Sequence, residues 1–219
     1  MEPTETRSDR HRSASQVNVP NALTLLRLVL VPVFVLVKLQ PTWGMQWAAL
    51  GIFAVAALTD KLDGHIARSQ GLVTDFGKLA DPVADKALTL SAFVLLSVEE
   101  TLPWWLTGLV AVRELGITVW RSVLARRGVV VAANSGGKAK TLVQMLALGT
   151  LLIPWGHFVV MNEANRGWAT VMTYAGLALA GVALAVTLWS GAVYVYEGVR
   201  SSRVSQRDEG REKTDLESA

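Results

Sequence analysis

Six stretches of this chain are predominantly apolar over about 18 residues or more, at approximately 22–39, 45–68, 78–98, 103–125, 139–158 and 168–198. Each is long enough to cross the hydrocarbon core of a bilayer as a helix, at 1.5 Å of rise per residue. Half of the residues are apolar, 51%, and the mean hydropathy is positive. The expected fold is therefore an all-α polytopic membrane protein with six transmembrane helices and a short amphipathic N-terminal segment. The last run exceeds what a bilayer requires and is expected to project beyond it. Cysteine is absent, which excludes a disulfide framework, thiolate chemistry and a cysteine-ligated metal.

An even number of spans puts both termini on one side. Of the 21 Lys and Arg residues, only Lys38 and Arg166 fall near the opposite face. The positive-inside rule then places the termini, the turn within Asp60 to Asp85 and the loop from Arg121 to Lys140 in the cytoplasm, with the chain in the cell (inner or plasma) membrane. Residues 1–16 are charged, lack a signal-peptide core and read as a disordered cytoplasmic tail. Residues 17–200 form the membrane domain, and 201–219, with both charge signs, a polar cytoplasmic tail. Trp104, Trp105, Trp155 and Trp168 lie near the outer ends and read as interface anchors with no catalytic role.

Asp60, Asp63, Asp81 and Asp85 interrupt this apolar pattern. Carboxylates are costly beside lipid and persist there mainly for function. If 45–68 is one helix, Asp60 and Asp63 share a face at i and i+3, with Gly64, Ala67 and Arg68 following toward its end. Asp81 and Asp85 stand at i and i+4 at the start of the next run. Two helices that each offer a carboxylate pair near one membrane surface can converge on hard divalent cations, which prefer oxygen ligands. A plainer account of Asp81 is an N-cap before Pro82, and of Lys78 and Lys86 that they are counter-ions to the carboxylates. Gly64 and Ala67 equally permit close helix packing.

Two further clusters bear on chemistry. Asn21, Thr24 and Arg27 form a polar stripe at the start of the first run. Either Arg27 snorkels to the headgroups from an amphipathic segment, slightly the better reading on physics alone, or the stripe faces the carboxylate-bearing helices. Arg113 and Glu114 lie inside the fourth run, where adjacent residues point apart and each needs another partner. After Arg121, Arg126 and Arg127, which read as topology-fixing charges, Ser135-Gly136-Gly137-Lys138-Ala139-Lys140-Thr141 leads into the fifth run. A glycine turn feeding a helix N-terminus supplies free amides beside two ammoniums, a seat for a phosphate.

The spacing Asp60-x2-Asp63-Gly64-x2-Ala67-Arg68-x8-Gly77-x3-Asp81-x3-Asp85 resembles the signature of the CDP-alcohol phosphatidyltransferase family at all eight positions. The resemblance implies attack by an alcohol on the lipid-side phosphorus of a CDP-alcohol, with release of CMP, assisted by two Mg2+ or Mn2+ ions. It implies Asp60, Asp63 and Asp81 as metal ligands and Asp85 as a ligand or the general base. It also implies Asp60, Gly64, Ala67, Arg68 and Gly77, with Asn21 and Thr24, around the CDP-diacylglycerol donor. The stretches Asn18 to Arg27, Gly77 to Lys86, Arg113-Glu114 and Gly137 to Gln144 are similar to members that use sn-glycerol 3-phosphate, whose phosphate would lie among Arg113, Lys138, Lys140 and Arg121. A homodimer in the bilayer, with no nucleic-acid partner, is the family expectation. The same core serves inositol phosphate or phosphatidylglycerol as acceptor. A membrane transporter is the remote alternative, and it predicts carboxylates spread through the bilayer depth, not gathered at one surface.

Overall fold

The computed structural model describes the backbone at residues 19–70, 75–126 and 136–217, and side chains at 25–59, 86–125 and 140–200. Among these residues every regular element is helical: α1 (Val19–Lys38), α2 (Trp43–Gln70), α3 (Asp75–Val98), α4 (Trp104–Arg126), α5 (Gly136–Leu152), α6 (Trp155–Met161), a 3-10 turn (Glu163–Asn165) and α7 (Arg166–Glu217). Two segments, Lys140–Met161 and Glu163–Arg200, are long and apolar enough to cross a membrane, and Trp43–Thr59 and Lys86–Val98 are shorter apolar helices. The outward faces are rich in exposed apolar side chains, among them Val112, Val119, Trp189 and Tyr196, as lipid contact requires and water contact does not.

α2 is one helix across residues 45–68, so Asp60 and Asp63 stand at i and i+3 on a continuous backbone. The amphipathic N-terminal segment and the first span are likewise one continuous helix, α1. α7, at 52 residues, extends about 78 Å, far beyond a hydrocarbon core of about 30 Å. α1 packs on α2 and α3, α5 on α7, α2 and α3, and α4 on α7 and α3. The core between them runs through Phe34, Phe53, Phe93, Leu96, Leu148 and Leu152, interleaved with Ala49, Ala56, Ala92 and Ala147. Small residues at these positions let the helix backbones approach. α7 approaches closely at Gly176, where an added Cβ would lie 2.7 Å from Leu151 Cδ2.

One expectation from the sequence is corrected by the packing of α1. Arg27 does not snorkel: it is fully buried, at 0% exposure, because the face of α1 that carries it is covered by the packing of α1 on α2 and α3. The fifth span is present at Lys140–Met161, with a break where α5 ends at Leu152 and α6 starts at Trp155. Pro154 has no N–H to give to Thr150 and disfavours helical geometry at Ile153. The indole Nε1 of Trp155 donates to that vacated Thr150 carbonyl at 2.8 Å, so this tryptophan also repairs a helix break.

The end of the bundle away from the aspartates is closed by aromatic and charged pairs. Trp43 meets Phe158 and His157, and Trp168 meets Phe158 and Trp155, at centroid distances of 5.0 to 5.4 Å. Lys38 is buried, bonded to Glu99 at 2.9 Å and to Gln46, while the Gln46 amide donates to the Lys38 and Gln40 carbonyls that α1 leaves open. Arg166 pairs with Glu163 at 2.9 Å. The two cations that break the charge asymmetry are therefore both matched by acids.

Candidate functional site

The backbone of α2 carries Asp60 and Asp63 at i and i+3, and that of α3 carries Asp81 and Asp85 at i and i+4. α2 and α3 are in contact. The side chains of Asp60, Asp63, Asp81, Asp85, Gly64, Ala67, Arg68, Gly77, Asn21, Thr24 and Lys138 lie outside the described residues. Among the described residues no group of three or more His, Asp or Glu side chains is placed to hold a metal.

What the described side chains build is a buried ionic cluster that begins at the residue after Asp85. Lys86 of α3 reaches Glu114 Oε2 of α4 at 2.6 Å. Lys140, in the second turn of α5, bonds the other oxygen, Oε1. Arg113 Nη1 donates to the same Oε1 at 3.2 Å. Arg113 and Glu114 thus do meet each other, against the expectation that neighbours on a helix point apart, because the guanidinium is long enough to bend back. Each also has partners elsewhere, as an ionised group in an apolar helix requires. Glu114, at 2% exposure, is the hub: its two oxygens join α3, α4 and α5.

Arg113 is held from the far side as well. Its Nε donates to the Thr187 carbonyl at 2.8 Å and its Nη2 to Ser190 Oγ at 2.7 Å, both on α7. Gly191 makes room for this, since a Cβ there would lie 3.1 Å from Arg113 Nε. The guanidinium is a strut between α4 and α7. Arg121 stands exposed on α4, two turns beyond Arg113 and outside the buried cluster. Of the residues expected around an acceptor phosphate, the structure brings Arg113 and Lys140 to one carboxylate and leaves Arg121 apart.

Among the described side chains, three cations, Lys86, Arg113 and Lys140, gather on the one carboxylate of Glu114. The lysine turn opens α5, whose first-turn amides have no partner within the helix. One turn beyond Lys140 on the same face, Gln144 is also buried. Sequence reasoning did not assign Lys86, Glu114 and Lys140 to one another. The available signal was that a glutamate within an apolar run must be paired, and that in an alternating bundle Lys86 and Lys140 stand at its depth.

Residues 17–190 match the family model described as CDP-alcohol phosphatidyltransferase. A "Probable phosphatidylglycerophosphate synthase" of Mycobacterium tuberculosis is 49% identical over 140 residues, 63% of this chain and 66% of that protein. A "CDP-diacylglycerol--glycerol-3-phosphate 3-phosphatidyltransferase" of Bacillus subtilis is 40% identical over 148 residues, 62% of this chain and 77% of its own. A protein of the same description from Escherichia coli K12 is 41% identical over 186 residues, covering 82% of this chain and 94% of its own.

Proposed function

The chain belongs to the CDP-alcohol phosphatidyltransferase family, and from that premise we propose that it transfers the phosphatidyl group of CDP-diacylglycerol to sn-glycerol 3-phosphate, giving phosphatidylglycerol phosphate and CMP. The observation that carries the reading of a phosphate-bearing acceptor is the Lys86–Glu114–Lys140 connection. It ties the start of α5 to the helix that carries Asp81 and Asp85, which supports a phosphate seat and a metal site on neighbouring helices. The names of the relatives support the same acceptor.

The donor set fits hard divalent ions: four aspartates on two helices in contact, with neither thiolate nor imidazole among them. Asp60, Asp63, Asp81 and Asp85 would hold two Mg2+ or Mn2+ ions, which when bound neutralise the diphosphate and the charge that develops on the leaving phosphate. The chain's own residues do the rest. Lys138 and Lys140 bind the acceptor's phosphate, and Glu114 fixes the position of Lys140. Asp85 takes the proton of the attacking hydroxyl as its oxygen bonds to the lipid-side phosphorus, and the anhydride bond breaks with its electron pair leaving on CMP. Gly64 and Ala67 admit the nucleotide to the α2 backbone, Arg68 pairs with the diphosphate, and Gly77, Asn21 and Thr24 border the donor.

The chain works as a six-span protein with termini and active site on the cytoplasmic side of the cell membrane, and as a homodimer. The distribution of Lys and Arg supports that orientation, because only Lys38 and Arg166 of the 21 fall near the other end. Membranes containing the protein, supplied with CDP-diacylglycerol and either glycerol 3-phosphate or inositol phosphate, test the reading through CMP release with Mg2+, Mn2+ or chelator. Metal-dependent release specific to glycerol 3-phosphate is expected; release that needs inositol phosphate, or neither acceptor, overturns it.

A further inference from the structure

Gln144 is 3% exposed, and its amide nitrogen has no hydrogen-bond partner among the described residues. Buried side-chain polar atoms nearly always have one. The buried face of α5 reads Lys140, Gln144, Ala147, Leu148, Leu151, so Gln144 is the last polar position before the apolar core. It lies one turn deeper than Lys140 on the face that packs toward the other helices, and α5 is in contact with both aspartate-bearing helices. A neutral carboxamide one turn from the Lys140 ammonium does not compete with it for a phosphate. Its N–H suits a neutral oxygen further into the site.

We propose that Gln144 is a specificity-determining residue of the acceptor site, donating its amide N–H to the secondary, non-reacting hydroxyl of a three-carbon polyol phosphate whose phosphate sits at the lysine turn. The proposal rests on the acceptor reading given above. The spacing fits. One helical turn advances about 5.4 Å, and a chain of single bonds advances about 1.2 Å per bond, which puts the secondary hydroxyl oxygen of glycerol 3-phosphate about 5 Å from its phosphorus. A phosphate held at the level of Lys140 therefore presents that oxygen at the level of Gln144. Six-membered polyol phosphates set their hydroxyls on a rigid ring and do not offer the same linear reach.

The test compares glycerol 3-phosphate with 1,3-propanediol monophosphate, which lacks only the secondary hydroxyl, in CMP release by the full-length wild type and by Gln144→Leu in membranes. Wild type is expected to prefer glycerol 3-phosphate by roughly tenfold to a hundredfold in kcat/KM. In Gln144→Leu the preference should fall to about onefold through a raised KM for glycerol 3-phosphate, with the KM for CDP-diacylglycerol within about twofold of wild type. The preference is a ratio within one preparation, so partial misfolding of the variant does not alter it. A Gln144→Leu enzyme that keeps the wild-type preference, or a wild type with no preference, overturns the inference while the acceptor assignment stands. CMP release by wild type with inositol phosphate alone overturns both.

Discussion

Lys86 Nζ lies 2.6 Å from Glu114 Oε2, and because Lys140 occupies the other oxygen of the same carboxylate, one glutamate side chain sets the spacing between three helices. Glu114 thereby holds the cations of three helices in place.

Replacing Glu114 tests the hub. Glu114→Gln leaves Lys86, Lys140 and Arg113 around a neutral amide, and removing one partner of a buried ionic group destabilises by about 3–5 kcal/mol. Thermal unfolding in detergent should show a clearly lowered midpoint, with acceptor KM raised more than donor KM. An unchanged midpoint would contradict the buried cluster.

The two lysines of the α5 turn should respond differently. Lys138→Gln is expected to raise the KM for the acceptor by about tenfold, the value of one charge-assisted hydrogen bond, with little change in stability. Lys140→Gln should raise it similarly and also lower the unfolding midpoint, because Lys140 is bonded to the buried Glu114. Steady-state kinetics beside thermal unfolding separate the two effects, and equal stability losses would remove the distinction.

Asp63→Asn keeps the shape of the side chain and removes a charge. Turnover should fall at least about a thousandfold, since the electrostatic assistance lost amounts to several kcal/mol, while membrane insertion, followed by fractionation, is intact. Retained turnover with Mg2+ or Mn2+ would exclude Asp63 as a metal ligand.

Glu100, in the turn between α3 and α4, has φ of 58°, a left-handed conformation that costs a side-chain-bearing residue about 1 kcal/mol. The turn closes on hydrogen bonds from the Thr101 and Leu102 amides to the Leu96 carbonyl, which ends α3 in the manner that usually employs glycine. Glu100→Gly should raise stability by about 0.5–1 kcal/mol and Glu100→Val should lower it, as read by thermal unfolding. Both should leave catalysis alone, since the turn is at the far end of the bundle.

Much of this protein was legible in one dimension because lipid makes simple demands. An apolar run of sufficient length has to be helical, and four aspartates at fixed spacing are too costly there to be incidental. Hence the helical class, the continuous α2, the carboxylate pairs on α2 and α3 and the family followed from residue order alone. The pairing of buried charges did not, because ionic partners are chosen by packing between segments distant in sequence. Nothing local says that Lys86 and Lys140 meet on Glu114, that Arg113 reaches Thr187 and Ser190 across 74 and 77 residues, or that Arg27 is buried where an exposed position was expected. The break at Pro154 was visible as a residue, but its repair by the Trp155 indole needed coordinates. Chain order determined which chemistry this protein carries; the tertiary packing decided which charges stand together, since burial raises the value of each ionic partner and only the assembled bundle says what is buried.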